Sequence, residues 1–111
     1  MNASKARKLM LALAASLLLA TLPAAAQNDG ASAYKSKCAG CHAADGSGNS
    51  PAGKAMHLRD LGSADVQKQS DADLNTIVAN GKGTMPGYKG KLTDDQIKQV
   101  VAFVRTFAKK G

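Results

Sequence analysis

Cys38-Ala39-Gly40-Cys41-His42 is the stretch that decides how the rest of this 111-residue chain is read. Two thiols three positions apart lie on one helical turn, and an imidazole follows the second at once. Thiols at that spacing can each add to a vinyl group of one haem, and the next side chain then falls beneath the iron, where His42 can supply a nitrogen. These five residues therefore imply one covalent haem c, tied by Cys38 and Cys41, with His42 as the proximal axial ligand. Three other uses of the thiols stay open, and each lacks something. A redox dithiol of the thioredoxin kind sits in a βαβ setting, which the pattern of this chain does not provide. A zinc site needs two further ligands, and His42 with His57 makes a poor set. A disulfide between Cys38 and Cys41 closes a loop too small to stabilise much.

An iron in a haem has a second axial position, and the sequence has three candidates for it: Met56, His57 and Met85. Met85 lies 43 residues after His42 in a Gly-rich segment. Pro86 biases it towards an extended backbone from which the thioether projects. Met85 is accordingly expected as the distal axial ligand. Met56 and His57 come only 14 and 15 residues after His42, too soon for an easy crossing to the opposite haem face. Met56 reads as core filling and His57 as a surface histidine.

The two ends of the chain differ in kind. Lys5, Arg7 and Lys8 precede an apolar run over residues 9–22, followed by Pro23 and Ala24-Ala25-Ala26. That is the three-part order of a secretory signal peptide with an Ala-x-Ala cleavage site, so residues 1–26 are expected to be cleaved and residues 27–111 to form one domain. The run of 14 is shorter than the roughly 20 residues of a spanning helix, so no stable membrane insertion is expected after cleavage. Export places the protein in the periplasm. Cleavage also lowers the formal charge from +7 to +4, since residues 27–111 hold 12 Lys and Arg against 8 Asp. The lysines are dispersed and no aromatic platform is interleaved with them, so nucleic acid is not an expected partner.

After residue 26 the core is thin. The last 85 residues hold 17 side chains of the Val, Ile, Leu, Met, Phe and Tyr types, with no Trp. A domain of that size buries only about 60–65% of the surface its unfolded chain exposes, so a bound apolar body is needed to help fill its centre. The porphyrin is that body, and the chain without it is expected to be at best loosely structured. Such arithmetic excludes a multidomain enzyme and a disulfide-dense scaffold.

The pattern predicts an all-α domain. Residues 31–41 have the composition of a short helix, and residues 43–53 read as a loop, concentrated in Asp45-Gly46-Ser47-Gly48-Asn49-Ser50-Pro51. A brief helix is expected over residues 63–69. A firmer one follows from a cap at Ser70 or Asp71 through Asn80, with Gly81 as its stop. A second Gly-rich loop spans residues 81–92. Thr93-Asp94-Asp95-Gln96 is a capping box, and Ile97, Val100, Val101, Val104 and Ala108 repeat at helical spacing up to Lys109.

With these motifs in that order, the chain resembles a class I monohaem c-type cytochrome of the small bacterial kind over residues 30–108. The features that carry the likeness are Cys38-Ala39-Gly40-Cys41-His42, then Gly46-Ser47-Gly48 and Pro51, then Asn80-Gly81-Lys82-Gly83-Thr84-Met85-Pro86, and the amphipathic closing helix. The resemblance implies the cytochrome c fold, about 3–5 helices wrapped around the haem with the N- and C-terminal helices crossing. It implies that the crossing falls at Gly30 and Tyr34, opposite Val100 and Phe103. It implies further that the Pro51 carbonyl accepts a hydrogen bond from His42 Nδ1, and that Tyr88 packs near the haem edge.

A haem held by His and Met has both axial positions filled, so the expected role is single-electron transfer and not catalysis. The resemblance implies a monomeric carrier with protein redox partners: a membrane complex or dehydrogenase as donor, an oxidase or reductase as acceptor. Exposed lysines such as Lys37, Lys54, Lys82 or Lys89 can steer it to an acidic surface. The alternatives are a small peroxidase-like enzyme whose distal ligand is labile, and a subunit through which electrons enter a larger oxidoreductase.

Overall fold

The computed structural model describes residues 29–109, and the leader assigned to residues 1–26 lies outside them. In chain order the helices are α1 (Asp29–Lys37), α2 (Ala39–His42), α3 (Pro51–Ala55), α4 (Ala64–Gln67), α5 (Asp71–Asn80) and α6 (Asp94–Arg105). No strand forms among the described residues; two isolated bridges pair Lys82 with Met85 and Lys89 with Leu92. The all-α expectation and the cytochrome c fold hold.

Among the described residues six helices form against the three to five expected, because two single turns are added. The helix expected over residues 31–41 is divided at Cys38, giving α1 and the four-residue α2. Within the segment read as loop, Ser50 caps a short helix by accepting from the Gly53 N–H at 2.8 Å, and Pro51 takes the first helical position, where its missing N–H costs nothing. A single turn has no apolar periodicity, so only the cap signalled it.

The longer helices start and stop where the sequence says. Ser70 caps α5 through the Asp73 N–H at 3.0 Å, and Gly81 ends it with φ 80°. At the start of α6, Thr93 Oγ1 accepts from the Gln96 N–H while Gln96 Oε1 accepts from the Thr93 N–H. α6 closes at Arg105, short of the expected Lys109. Its last amides turn to carbonyls three residues back, Phe107 to Val104 and Ala108 to Arg105. Lys109 is then drawn away to Asp60, with Nζ 2.6 Å from Oδ2.

α1 crosses α6, and the crossing sets the geometry of everything between them. Gly30 is buried so closely against Gln99 that a Cβ there would lie 2.8 Å from the Gln99 carbonyl carbon. The partner of Gly30 is thus the Gln99 backbone and not Val100. One turn on, Tyr34 is 2% exposed, and its ring lies 5.2 Å from those of both Phe103 and Phe107. Phe103 was expected there; Phe107, beyond the end of α6, completes the triad.

Two small apolar clusters hold the rest. Val66, Leu74 and Val101 join α4, α5 and α6; Leu92, Ile97 and Val100 pack with Ala33, Val78 and Tyr88. Arg105 stitches the first cluster's surface, donating to the carbonyls of Gln67 and Gln69 and pairing with Asp71 at 2.9 Å.

Candidate haem site

The five residues of the thiol motif are wound into one turn by local hydrogen bonds. Cys38 N–H donates to the Tyr34 carbonyl at 2.8 Å, His42 N–H to Cys38 at 2.9 Å, and Ala43 N–H to Ala39 at 2.9 Å. Helices end with orphan carbonyls, and here three in a row are satisfied by donors six to nine positions away. Ser50 Oγ donates to the Cys41 carbonyl at 2.6 Å, Gly48 N–H to His42 at 2.8 Å, and the Tyr34 hydroxyl to Ala43 at 2.6 Å. The turn that carries Cys38, Cys41 and His42 is thereby fixed from both sides.

Facing it is the Met85 loop. Gly81 occupies the left-handed region, and a Cβ there would lie 2.6 Å from the Met85 carbonyl oxygen, so the loop closes tightly against the end of α5. Lys82 and Met85 exchange both backbone hydrogen bonds, at 3.1 and 3.0 Å. Tyr88 and Lys89 then fold back, their N–H groups donating to the carbonyls of Val78 and Ala79.

Between turn and loop the fold encloses three hollows, of about 450, 480 and 850 Å³ measured out to their open mouths. His42 and Met85 line all three, so the hollows are parts of one cleft. The first carries Cys38, Cys41, Met56, Leu58, Pro86 and Tyr88. The second reaches inward between Tyr34, Leu61, Ile77, Val78, Val100 and Val104. The third opens past His57, Arg59 and Lys82.

Burial favours the unreactive form of Cys38 and the uncharged form of His42. Burial pushes the Cys38 thiol up to about 11, the opposite of the lowered value a redox dithiol uses. Burial holds the His42 imidazole below its usual value, keeping it neutral with a lone pair free. Cys38 and Cys41 are free thiols, and among the described residues no group of three or more His, Cys or Asp gathers to hold a metal ion, so no zinc site is assembled. Of the open readings of the two thiols, haem attachment is the one this cleft fits: an apolar cavity with both thiols and two soft or nitrogenous donors on its walls.

Not every expected residue takes its expected part. Pro51 lies at the start of α3 and lines none of the three hollows, while His42 Nδ1 is buried with no hydrogen-bond partner. The bond to the Pro51 carbonyl is not formed in this structure. Met56 is not core filling; it is 38% exposed on the wall of the first hollow. His57 is exposed, as expected, at φ 53°. Tyr88 does line the cleft. Leu58 and Thr84 join the site without having been singled out, although Thr84 stands directly before Met85.

Fold and cleft together define a small class I c-type cytochrome, and the chain belongs to that family, carrying one covalently bound haem c as an electron carrier. The family model described as cytochrome c oxidase, cbb3-type, subunit III matches residues 25–104. More particularly, the chain is similar to cytochrome c6 of Leptolyngbya boryana, 37% identical over 82 residues that cover 74% of this chain and 93% of that protein. It is 38% identical to cytochrome c6 of Thermosynechococcus vestitus over 104 residues, 90% of this chain and 89% of the relative. Among solved structures, the KustC0563 c-type cytochrome superposes with a TM-score of 0.66 at 33% identity, over 73% of this chain and 99% of that one.

Proposed function

We propose that Cys38 and Cys41 form the two thioethers, that His42 and Met85 are the axial ligands, and that the protein is a periplasmic shuttle of single electrons. The observation that carries this reading is that His42 and Met85, 43 residues apart, line every part of one cleft that also holds both thiols. When bound, the haem supplies a one-electron couple. His42 contributes a neutral imidazole held by burial, and Met85 a thioether that favours the ferrous state. The apolar walls disfavour the extra charge of the ferric state, so the midpoint potential is positive. With His42 and Met85 both holding the iron, a substrate would find no open place on it, so the chain would serve as a carrier and not as an enzyme.

The cleavable leader places the mature chain in the periplasm, where it works as a monomer between a membrane complex or dehydrogenase and an oxidase or reductase. Among the described residues no helix is long and apolar enough to cross a membrane. A second reading, a subunit through which electrons enter a larger oxidoreductase, is favoured by the description of the matching family model.

A haem stain of a denaturing gel and a carbon monoxide titration of the reduced protein test the assignment. Haem that survives denaturation and a spectrum indifferent to the gas are expected. Loss of the stain on denaturation, or ready binding of carbon monoxide, overturns it. Purification from the periplasmic fraction as a single small species, not as part of a membrane complex, separates the two readings.

A further inference from the structure

Residues 27–111 hold two methionines, and they stand differently in the same cleft. Met85 is half-buried and lines all three hollows, whereas Met56 lines the first hollow alone. Among the described residues Met56 is the one large apolar side chain left exposed, at 38%. It belongs to neither apolar cluster, so core packing does not account for it.

The backbone around Met56 is fixed without help from its side chain. The Met56 N–H closes α3 by donating to the Ala52 carbonyl at 3.0 Å, His57 follows in the left-handed region at φ 53°, and the Leu58 N–H turns back to the Gly53 carbonyl at 2.9 Å. What these bonds hold at the cleft wall is a thioether in contact with solvent. Such a sulfur is soft, polarisable and readily oxidised, and its sulfoxide is reduced again by dedicated reductases. An axial ligand has one sulfur lone pair committed to iron, whereas the Met56 sulfur keeps both. Exposure and free lone pairs both favour attack at Met56 over Met85.

We infer that Met56 is a reversible oxidation site that spares Met85 when a hypohalous acid reaches the cleft. In the step, a sulfur lone pair of Met56 attacks the chlorine of hypochlorous acid and hydroxide leaves; water then displaces chloride from sulfur. Sulfur loses two electrons and chlorine gains them. The hydroxide takes up one of the two protons that the water sheds, so the products are sulfoxide, chloride and one proton. Oxidation at Met85 would strip the iron of its thioether, but at Met56 it adds a polar oxygen to a side chain that neither cluster uses. The inference rests on the assignment of Met85 to the iron, which supplies part of the difference in reactivity.

The test treats the ferric holoprotein with hypochlorous acid, up to one equivalent, and maps the tryptic peptides by mass. Residues 55–59 and 83–89 form separate peptides with one methionine each. The first should gain one oxygen, removable by methionine sulfoxide reductase, before the second gains any, and the spectrum of the iron should stay unchanged. Met56→Leu keeps an apolar side chain of similar size and removes the thioether. In that variant the same dose should raise the Met85 sulfoxide severalfold and shift the spectrum to high-spin.

Oxygen appearing first on residues 83–89, or on the thioether-bearing peptide of residues 38–54, would overturn the site. Equal Met85 sulfoxide in the wild type and Met56→Leu would overturn the sparing of Met85. Excess acid that oxidises both methionines and leaves the spectrum unchanged would overturn the ligation of Met85, and not the order in which the two react.

Discussion

The hydroxyl of Tyr88 donates a 2.9 Å hydrogen bond to the carbonyl of Lys37, 51 positions earlier in the chain. This one bond joins the last carbonyl of α1, directly before Cys38, to the loop that carries Met85. The two walls of the cleft are thus linked at the rim, on the side where both thiols stand. The Tyr88 ring stays in the first hollow while its oxygen reaches the helix end, and burial raises the phenol's pKa.

Replacing Tyr88 by Phe keeps the ring and removes the link. A loss of about 1 kcal/mol is expected, read as a fall in Tm of roughly 4–8 °C for a domain this small. Amide exchange should quicken at Tyr88 and Lys89, whose N–H groups bond to the end of α5. An unchanged melt and unchanged exchange would show that the rim does not depend on this bond.

Gly30→Ala tests the helix crossing. The new Cβ would overlap the Gln99 carbonyl, which is backbone and cannot swing aside, so α1 and α6 must part. Overpacking of this kind costs about 1–3 kcal/mol. The same change at Gly83, where a Cβ meets nothing within 4 Å, keeps the space but strains a φ of 58°. Denaturant unfolding of Gly30→Ala should show a lowered midpoint at an unchanged slope.

Alkaline stability should depend on Tyr34. Burial pushes its phenol up to about 12, against an ordinary value near 10. Between these values the folded chain keeps a proton that the unfolded chain releases. The contribution is therefore whole below pH 10 and is lost as pH rises through 12. Tyr34→Phe removes that titration and also the 2.6 Å bond to the Ala43 carbonyl, so it is less stable than the wild type at pH 7. The gap between the two should narrow from pH 10 to 12, while the lysines titrate in both. A constant gap across that range would contradict the assignment.

Met85→Ala should lower the midpoint potential and open an axial position, seen as a shift to a high-spin spectrum that now responds to carbon monoxide. Met56→Ala, at the wall of the same cleft, should leave the spectrum unchanged. A Met85→Ala protein with the wild-type spectrum and potential would refute the distal assignment.

Legibility in the sequence followed the length over which a signal repeats. α6 was plain, because a capping box and five apolar residues at helical spacing agree. α5 was plain from Ser70 and Gly81. The turn at Pro51 was missed because five residues cannot display a period, although Ser50 and Pro51 mark its start. Phe107 was missed because it lies beyond the periodic stretch. It reaches Tyr34 only because the chain after Arg105 tightens and is drawn to Asp60. In the sequence Met56 reads as a core residue because a methionine usually fills gaps, and only the arrangement around the cleft sets it on the wall.

By itself the sequence determined the chemistry. Two thiols at helical spacing with an imidazole beside them, a methionine before a proline in a glycine-rich loop, and too few large side chains for the length all pointed to one covalent haem, because these are local or additive properties. What only the tertiary structure decided was which distant groups meet. The Gln99 backbone against Gly30, Phe107 against Tyr34 and Tyr88 closing onto Lys37 each join residues from separate parts of the chain, the first two at the angle where α1 and α6 cross. That angle is set by packing between residues some 70 positions apart, and no local pattern encodes it.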